Sequence, residues 1–180
     1  MKSTIITTLI LSLACLPAKS QVAIGKQSVT NISVSLEFAS TENRGLILPY
    51  ITDKSSITEE GSVIYDTTDH KVKYLKDSGM WVNLSEDDGT VSTIGTADLS
   101  VQGSDKVEKP TAKTAIGTNG AMDTTSGILV LTDVDKAMIL PNVASPHLNI
   151  INPASGMLVY DTTKKQLAVY NGKVWSFWKP

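Results

Sequence analysis

The chain has 180 residues, 16 basic and 18 acidic side chains, a formal net charge of −2 and one cysteine. This near-neutral balance, without a basic stripe, lacks the electrostatic footprint of nucleic-acid binding. Aromatic residues make up only 6% of the chain, so a large aromatic core is excluded. Stability must therefore come from burial of smaller side chains or from association with other chains.

The first twenty residues are typical of a secretory signal peptide. Lys2 supplies the positive start, a short apolar run follows, and Ala18 and Ser20 stand at positions −3 and −1 before Gln21. The apolar run is too short to span a bilayer, and small residues suit signal peptidase. We therefore expect export, with the periplasm, the outer membrane or the cell surface as the destination.

Two alternatives to simple cleavage concern the same segment. One is an N-terminal anchor helix, and the other is a lipoprotein acylated at Cys15. Residues 12–15 make a poor lipobox, which disfavours a lipid anchor at Cys15. Cleavage before Gln21 leaves 14 basic and 18 acidic residues, a net charge of −4, and removes the only cysteine. The remaining chain then has no disulfide, thiol nucleophile or thiolate metal site.

An internal repeat organises the rest of the chain. The matching blocks, in the same order, are residues 22–25 with 114–117, 36–38 with 128–130, 44–49 with 136–141, and 61–68 with 156–163. Trp81 and Trp175 close the two copies. Self-similarity of this kind predicts two copies of one structural unit.

The repeat divides the chain into four segments. We predict a signal peptide at 1–20, a β repeat unit 1 at 21–85, a polar linker at 86–113 and a β repeat unit 2 at 114–180. The linker is rich in Asp, Gly, Thr, Ser and Lys. Few contacts should cross such a segment, so we expect it to tolerate proteolytic cleavage.

Within each unit the pattern predicts short strands joined by turns. Apolar residues alternate with polar ones at 62–66 and again at 71–75, and Asp66-Thr67-Thr68 provides turn chemistry between them. Unit 2 repeats this order, with the hairpin signal Asn171-Gly172 before its last strand. The apolar runs at 46–49 and 138–141 end in proline and are predicted to be short strands. The fold class is therefore all-β: two repeated small β units of short antiparallel strands and hairpins.

The repeated pattern resembles segments of phage tail fibres and tail-fibre-like surface proteins, and is similar to exported proteins of Bacteroidota-type bacteria. Unit 1 carries it from Val22 to Ser85, and unit 2 from Thr114 to Pro180, with Ala137 where glycine is usual. The resemblance implies a β-rich, often trimeric protein that works by adhesion or assembly. It implies no catalytic residues.

No constellation of residues predicts catalysis, a cofactor or a metal site. His70 and His147 occupy non-equivalent places in the two units, which argues against a relay or metal centre. Asp66 and Asp161 are equivalent, and turn capping explains them better than calcium binding. No nucleophile–base pair can be named, so we do not expect an enzyme.

Aromatic side chains are the candidate interaction residues: Trp81, Tyr170, Trp175, Phe177 and Trp178. They could stack on sugars, or they could fill the face of a small hairpin sheet. Phe177 and Trp178 should point to opposite faces of the last strand, so one of them needs cover. Unit 1, a sister chain or a foreign partner could provide it, and the pattern favours an intermolecular contact.

These observations predict a non-enzymatic, exported structural or interaction protein. It would be a subunit of a cell-envelope or surface assembly, acting through association of its β units. The expected partner is an envelope protein or another copy of the chain, with a trimer among the oligomers. The alternative function is a glycan-binding adhesin module that uses exposed Tyr and Trp side chains.

Overall fold

The computed structural model describes residues 21–77, 79–100, 109 and 111–178. The predicted signal peptide, with Cys15, lies outside these residues. The regular secondary structure of the described chain is almost entirely β, with a 3-10 turn at Gly120–Met122 and a one-turn helix, α1, at Pro146–Asn149. This confirms the all-β fold class. Among the described residues no helix has the length and apolar character needed to cross a membrane.

Short strands follow one another along both units. Those in the described part of the chain are β1 (Val22–Ile24), β2 (Val34–Phe38), β3 (Leu46–Ile47), β4 (Tyr50–Ile51), β5 (Val63–Asp66), β6 (Lys71–Asp77), β7 (Met80–Asn83), β8 (Thr114–Ile116), β9 (Leu129–Leu131), β10 (Ala137–Ile139), β11 (Asn142–Val143), β12 (Met157–Asp161), β13 (Gln166–Tyr170) and β14 (Trp175–Trp178).

An antiparallel three-stranded meander forms the centre of each unit, as the sequence predicted. Strands β5, β6 and β7 form it in unit 1, and β12, β13 and β14 form it in unit 2. Leu75 pairs with Trp81, whereas the equivalent Tyr170 pairs with Trp175. The extra residue between Tyr65 and Trp81 therefore lies in the β6–β7 hairpin, where the register shifts.

The turn after the first meander strand is capped by an aspartate in both units. The Thr68 amide donates to Asp66 Oδ1 at 3.0 Å, and the Thr163 amide donates to Asp161 Oδ1 at 2.9 Å. These bonds confirm that the repeated Asp-Thr-Thr at 66–68 and 161–163 is turn chemistry. A short side chain that accepts from its own turn fixes where the strand ends.

Several strand pairs outside the meanders are parallel, which the sequence did not predict. Strands β1 and β2 are parallel, as are β2 and β10, β8 and β9, β4 and β5, and β11 and β12. Turn residues reveal only antiparallel strands that follow one another, because parallel strands need a longer crossover connection. The expectation of antiparallel strands therefore holds for the hairpins but not for these flanking pairs.

Parallel pairing also adjusts the alignment of the repeat by one residue. Val22 lies opposite Leu36, and the equivalent Thr114 lies opposite Leu129. The counterpart of Leu36 is therefore Leu129, not Ile128 as the ungapped alignment suggested. The structure places one additional residue between β8 and β9.

The two units share strands and a core. Strand β3 of unit 1 pairs antiparallel with β12, and β10 of unit 2 pairs with β2. One buried cluster draws side chains from both units: Leu48, Tyr65, Val72, Leu158 and Val169. A second cluster lies within unit 2 and contains Val143, Ile150, Met157, Val159 and Ala168.

Candidate interaction surfaces

Two tyrosine side chains of unit 1 form hydrogen bonds with the backbone of unit 2. The Tyr65 hydroxyl is fully buried and donates to the carbonyl of Asn171 at 2.8 Å. The Tyr50 hydroxyl donates to the carbonyl of Ser155 at 3.0 Å, and the two tyrosine ring centroids are 5.4 Å apart. Burial raises the pKa of Tyr65 to about 12, which favours the protonated, hydrogen-bond-donating form of its hydroxyl. Breaking this contact would leave a buried carbonyl unsatisfied.

The first part of the predicted linker, residues 86–100, packs against unit 2. The Asn171 side-chain amide donates to the carbonyl of Thr93 at 2.9 Å, and the Ser155 hydroxyl donates to that of Thr96. Gly95 is buried so closely that a Cβ there would collide with the Asn171 carbonyl. Residues 101–108 and 110 lie outside the described chain, so the predicted linker boundaries stay a prediction.

The C-terminal strand β14 contacts the junction between unit 1 and the predicted linker. The amide of Glu86 donates to Ser176 Oγ at 2.7 Å, and the indole N–H of Trp178 donates to the carbonyl of Leu84. The sequence left three possible neighbours for β14: unit 1, a sister chain or a foreign partner. Unit 1 therefore contacts this face of β14. Trp178 is nevertheless 41% exposed.

Three of the predicted interaction residues form an aromatic row on the other face. The ring centroids of Tyr170 and Trp175 are 5.1 Å apart, those of Trp175 and Phe177 are 6.4 Å apart, and Phe177 meets His147 edge to face at 5.6 Å. Phe177 is 39% exposed. Trp81 lies on β7, half-buried opposite Leu75, and Trp178 lies on the opposite face of β14. The structure thus groups Tyr170, Trp175 and Phe177, and separates Trp81 and Trp178 from them.

A surface that the sequence did not reveal is the outer edge of β9, here called the β9 edge. Strand β2 lies between β1 and β10, whereas its counterpart β9 pairs only with β8 among the described residues. Leu36 is 1% exposed, but its counterpart Leu129 is 42% exposed and the adjacent Ile128 is 58% exposed. An unpaired edge beside apolar side chains is a template for strand addition. Strand β9 pairs in parallel with β8, so the turn signals that predict antiparallel hairpins did not indicate this edge.

Two buried carboxylates, Glu37 and Asp66, are engaged in structural contacts. Hydrogen bonds from Lys26 and then Thr30 lower the pKa of Glu37 to about 2. Burial raises the pKa of Asp66, but hydrogen bonds from Lys54, Thr68 and Lys73 outweigh it, so the pKa lies below its ordinary value. Groups held ionised in this way are poor proton donors or acceptors near neutral pH.

In the ranges that the structure describes, no three His, Cys, Asp or Glu side chains converge into a metal-binding group. His70 lies in the β5–β6 turn at a φ of 61°, and its counterpart Lys165 has a φ of 55°. This position therefore adopts the left-handed backbone conformation of the turn in both units, with a histidine in one and a lysine in the other. What the arrangement can do chemically is pair strands and bury apolar surface.

Residues 115–179 match a protein family described as a phage tail like trimerisation region. This part of the chain, which is nearly all of unit 2, is therefore a tail-fibre-like segment, and the family is a structural one. No curated protein matches the chain, and no solved structure does. The resemblance of the repeated pattern in both units to exported Bacteroidota-type proteins stays a prediction.

Proposed function

We propose that this chain is an exported, non-enzymatic structural subunit that assembles into a homotrimer through its β units. The observation that carries the proposal is the match of residues 115–179 to a phage tail like trimerisation region. The β9 edge supports it, because 42% of Leu129 and 58% of Ile128 are exposed beside an unpaired strand. Association into an oligomer would pair the free backbone groups of this edge and would remove its apolar side chains from water.

The oligomeric state is tested by light scattering of the purified chain across a concentration series. A trimer has three times the 19.3 kDa mass of the chain, less any cleaved signal peptide. A species that stays at the single-chain mass at every concentration would contradict the proposal. A stable dimer would retain self-association but reject the three-fold state.

Export to the cell envelope or surface is the second part of the proposal. It rests on the Lys2 start, the short apolar run and the small residues Ala18 and Ser20. N-terminal sequencing of the envelope fraction should give Gln21 as the first residue. A mass that corresponds to acylated Cys15 would replace free export with a lipid anchor.

A native pull-down from the envelope distinguishes an assembly subunit from a protein that associates only with itself. An envelope subunit should recover one stable complex containing a second protein. Recovery of this chain alone would restrict the function to self-assembly.

The aromatic row favours a second candidate function, glycan binding. Tyr170, Trp175 and Phe177 lie side by side, and Phe177 is 39% exposed at the end of the row. Aromatic faces of this kind can cover the apolar face of a sugar ring. Phe177→Ala should abolish binding on a glycan array at an unchanged melting temperature, whereas Trp178→Ala, on the opposite face, should not. No binding by the unsubstituted chain would reject the adhesin alternative.

A further inference from the structure

The equivalent strands β3 and β10 use opposite backbone edges. In β3 the Leu48 amide, next along the strand from Ile47, donates to Gly156 of unit 2 at 3.1 Å. In β10 the Ala137 amide donates to Ser33 of unit 1 at 2.9 Å. Ala137 is equivalent to Gly45, an odd number of residues from Leu48, and successive amides of an extended strand point to opposite edges. Among the described residues, no strand pairs with the edge of either strand that its counterpart uses.

The edge that β3 occupies in unit 2 has a vacant counterpart in unit 1. This β5 edge is the outer backbone of residues 61–63, where no strand pairs with Ser62 or Val63 on the side of β4 in the described chain. In unit 2 the same positions, Met157 and Leu158, pair with β3. The backbone groups of the β5 edge are thus free to pair with a strand equivalent to β3. In the repeat, the strand equivalent to β3 is β10.

The acceptor carbonyl at the β5 edge is already oriented for this pairing. Gly61 and Gly156 have φ angles of 83° and 72°, and their amides each donate across the hairpin at 2.8 Å, to Leu75 and Tyr170. The Gly156 carbonyl accepts from Leu48, so the Gly61 carbonyl presents the same group outward. A Cβ on Gly156 would touch Tyr65, whereas one on Gly61 would meet nothing within 4 Å. The backbone conformation of Gly156 is thus repeated at Gly61, but no described residue packs against Gly61 as Tyr65 packs against Gly156.

Side-chain size across the two pairings is complementary. Gly45 is required in unit 1, because a Cβ there would collide with the side chain of Met157. Its counterpart Ala137 carries that Cβ, and the counterpart of Met157 is the small Ser62. At the Met157 position the larger residue on one strand thus meets the smaller residue on the other in both pairings. Val159, which the same Cβ would also approach, keeps a branched counterpart in Ile64, so the exchange is confined to the Met157 position. This exchange is expected if β10 packs on the β5 edge as β3 packs on β12.

We propose that copies of this chain join head to tail by repeating between chains the two strand pairings that each chain makes once within itself. Strand β10 of one copy adds antiparallel to the β5 edge of a second copy, with Ile139 opposite Ser62. Strand β3 adds parallel to the β9 edge of a neighbouring copy, with Leu46 opposite Leu129. A head-to-tail contact of this kind forms a closed ring when its rotation closes, as in a trimer. The inference rests on the proposed self-association and names the surface that performs it.

The test is disulfide trapping across the new antiparallel pair. The contact Ile47–Met157 predicts that Ser62 and Ile139 form a non-hydrogen-bonded pair, with Cα atoms about 4.5 Å apart. This separation suits a disulfide. In a Cys15→Ser chain, a copy with Ser62→Cys is co-expressed with a copy with Ile139→Cys. We expect a covalent dimer of the two different variants, which a reductant cleaves. Neither variant expressed alone should give a covalent dimer.

A matched control uses the pairing already present within the chain. Ile47→Cys with Met157→Cys in one chain should form an internal disulfide, leaving the covalent mass unchanged. Failure of Ser62→Cys to trap Ile139→Cys, while this control forms, would overturn the inference. Trapping of Ile139→Cys by Met157→Cys of another copy would also overturn it, because unit 2 would then pair with unit 2. A chain that light scattering finds at single-chain mass rejects the proposed oligomer itself, whereas an oligomer without the Ser62–Ile139 bond rejects only this surface.

Discussion

Units 1 and 2 have the same strands in the same order, yet they differ in what covers those strands. Among the described residues, strand β2 of unit 1 lies between two neighbours and is buried, while its counterpart β9 has one neighbour and is half-buried to exposed. Conversely, β12 of unit 2 pairs with β3 on its outer edge, while no strand in the described part of the chain pairs with the counterpart residues of unit 1. A repeated sequence therefore fixes the unit but not its neighbours, because two copies in one chain cannot satisfy every edge that each copy presents.

The largest expected effect is at Tyr65, whose counterpart in unit 2 is Tyr160. Tyr65→Ala should lower the free energy of unfolding by about 3–5 kcal/mol, because it leaves a cavity in the shared core. It also removes the donor to Asn171. Tyr160 is half-buried, so Tyr160→Ala should cost less. Denaturant unfolding of the dissociated chain measures both, and equal losses would contradict the difference in burial.

Leu36 and Leu129 test the comparison between β2 and β9 directly. Leu36→Ala should destabilise the chain by about 2–5 kcal/mol, since Leu36 is 1% exposed. Leu129→Ala should change the unfolding free energy of the dissociated chain much less, since Leu129 is 42% exposed. It should instead raise the concentration at which light scattering detects the oligomer. An unchanged association curve for Leu129→Ala would remove the β9 edge from the interface.

The two turn aspartates should respond differently to the same substitution. Asp66→Asn should cost about 1.5–3 kcal/mol, because Lys54 and Lys73 lose a charged partner. Asp161→Asn should cost about 1 kcal/mol or less, since an asparagine oxygen can still accept from the backbone amides of Ser145 and Thr163. Thermal melting of both variants at neutral pH provides the measurement. A larger loss at Asp161 would mean that the lysine pairs do not stabilise the turn.

An effect similar in size to that at Asp161 concerns acid stability and Glu37, whose counterpart in unit 2 is the uncharged Val130. The pKa of Glu37 is lowered from 4.5 to about 2 by Lys26 and Thr30. A carboxyl with a lowered pKa stabilises the fold fully above its unfolded value and loses that contribution as the pH falls toward 2. Glu37→Gln should therefore cost about 1 kcal/mol at neutral pH and flatten the stability profile between pH 4.5 and 2. An unchanged slope over this window would assign the acid sensitivity to other carboxylates.

Particular residues show how far the sequence could predict the interaction surfaces. The turn at Asp66-Thr67-Thr68 and the aromatic row on β13 and β14 follow from local signals, since turn chemistry and alternation act over a few residues. The β5 edge and the β9 edge do not follow, because an edge is defined by which distant strand is missing from it. The packing of residues 86–100 on Asn171 was also not foreseen, since polar composition alone predicted an exposed linker.

The sequence by itself determined the repeat, the two meanders, their capped turns and the proline ends of β3 and β10, because each depends on neighbours along the chain. Only the tertiary structure decided that β3 crosses to unit 2, that β10 pairs with β2, and that parallel strands flank the meanders. Backbone hydrogen bonding is the same for every strand pair of a given direction, so the amino-acid pattern specifies a strand without specifying its partner. The choice among partners rests on packing at contacts such as Gly45 against Met157, which form only when distant segments meet.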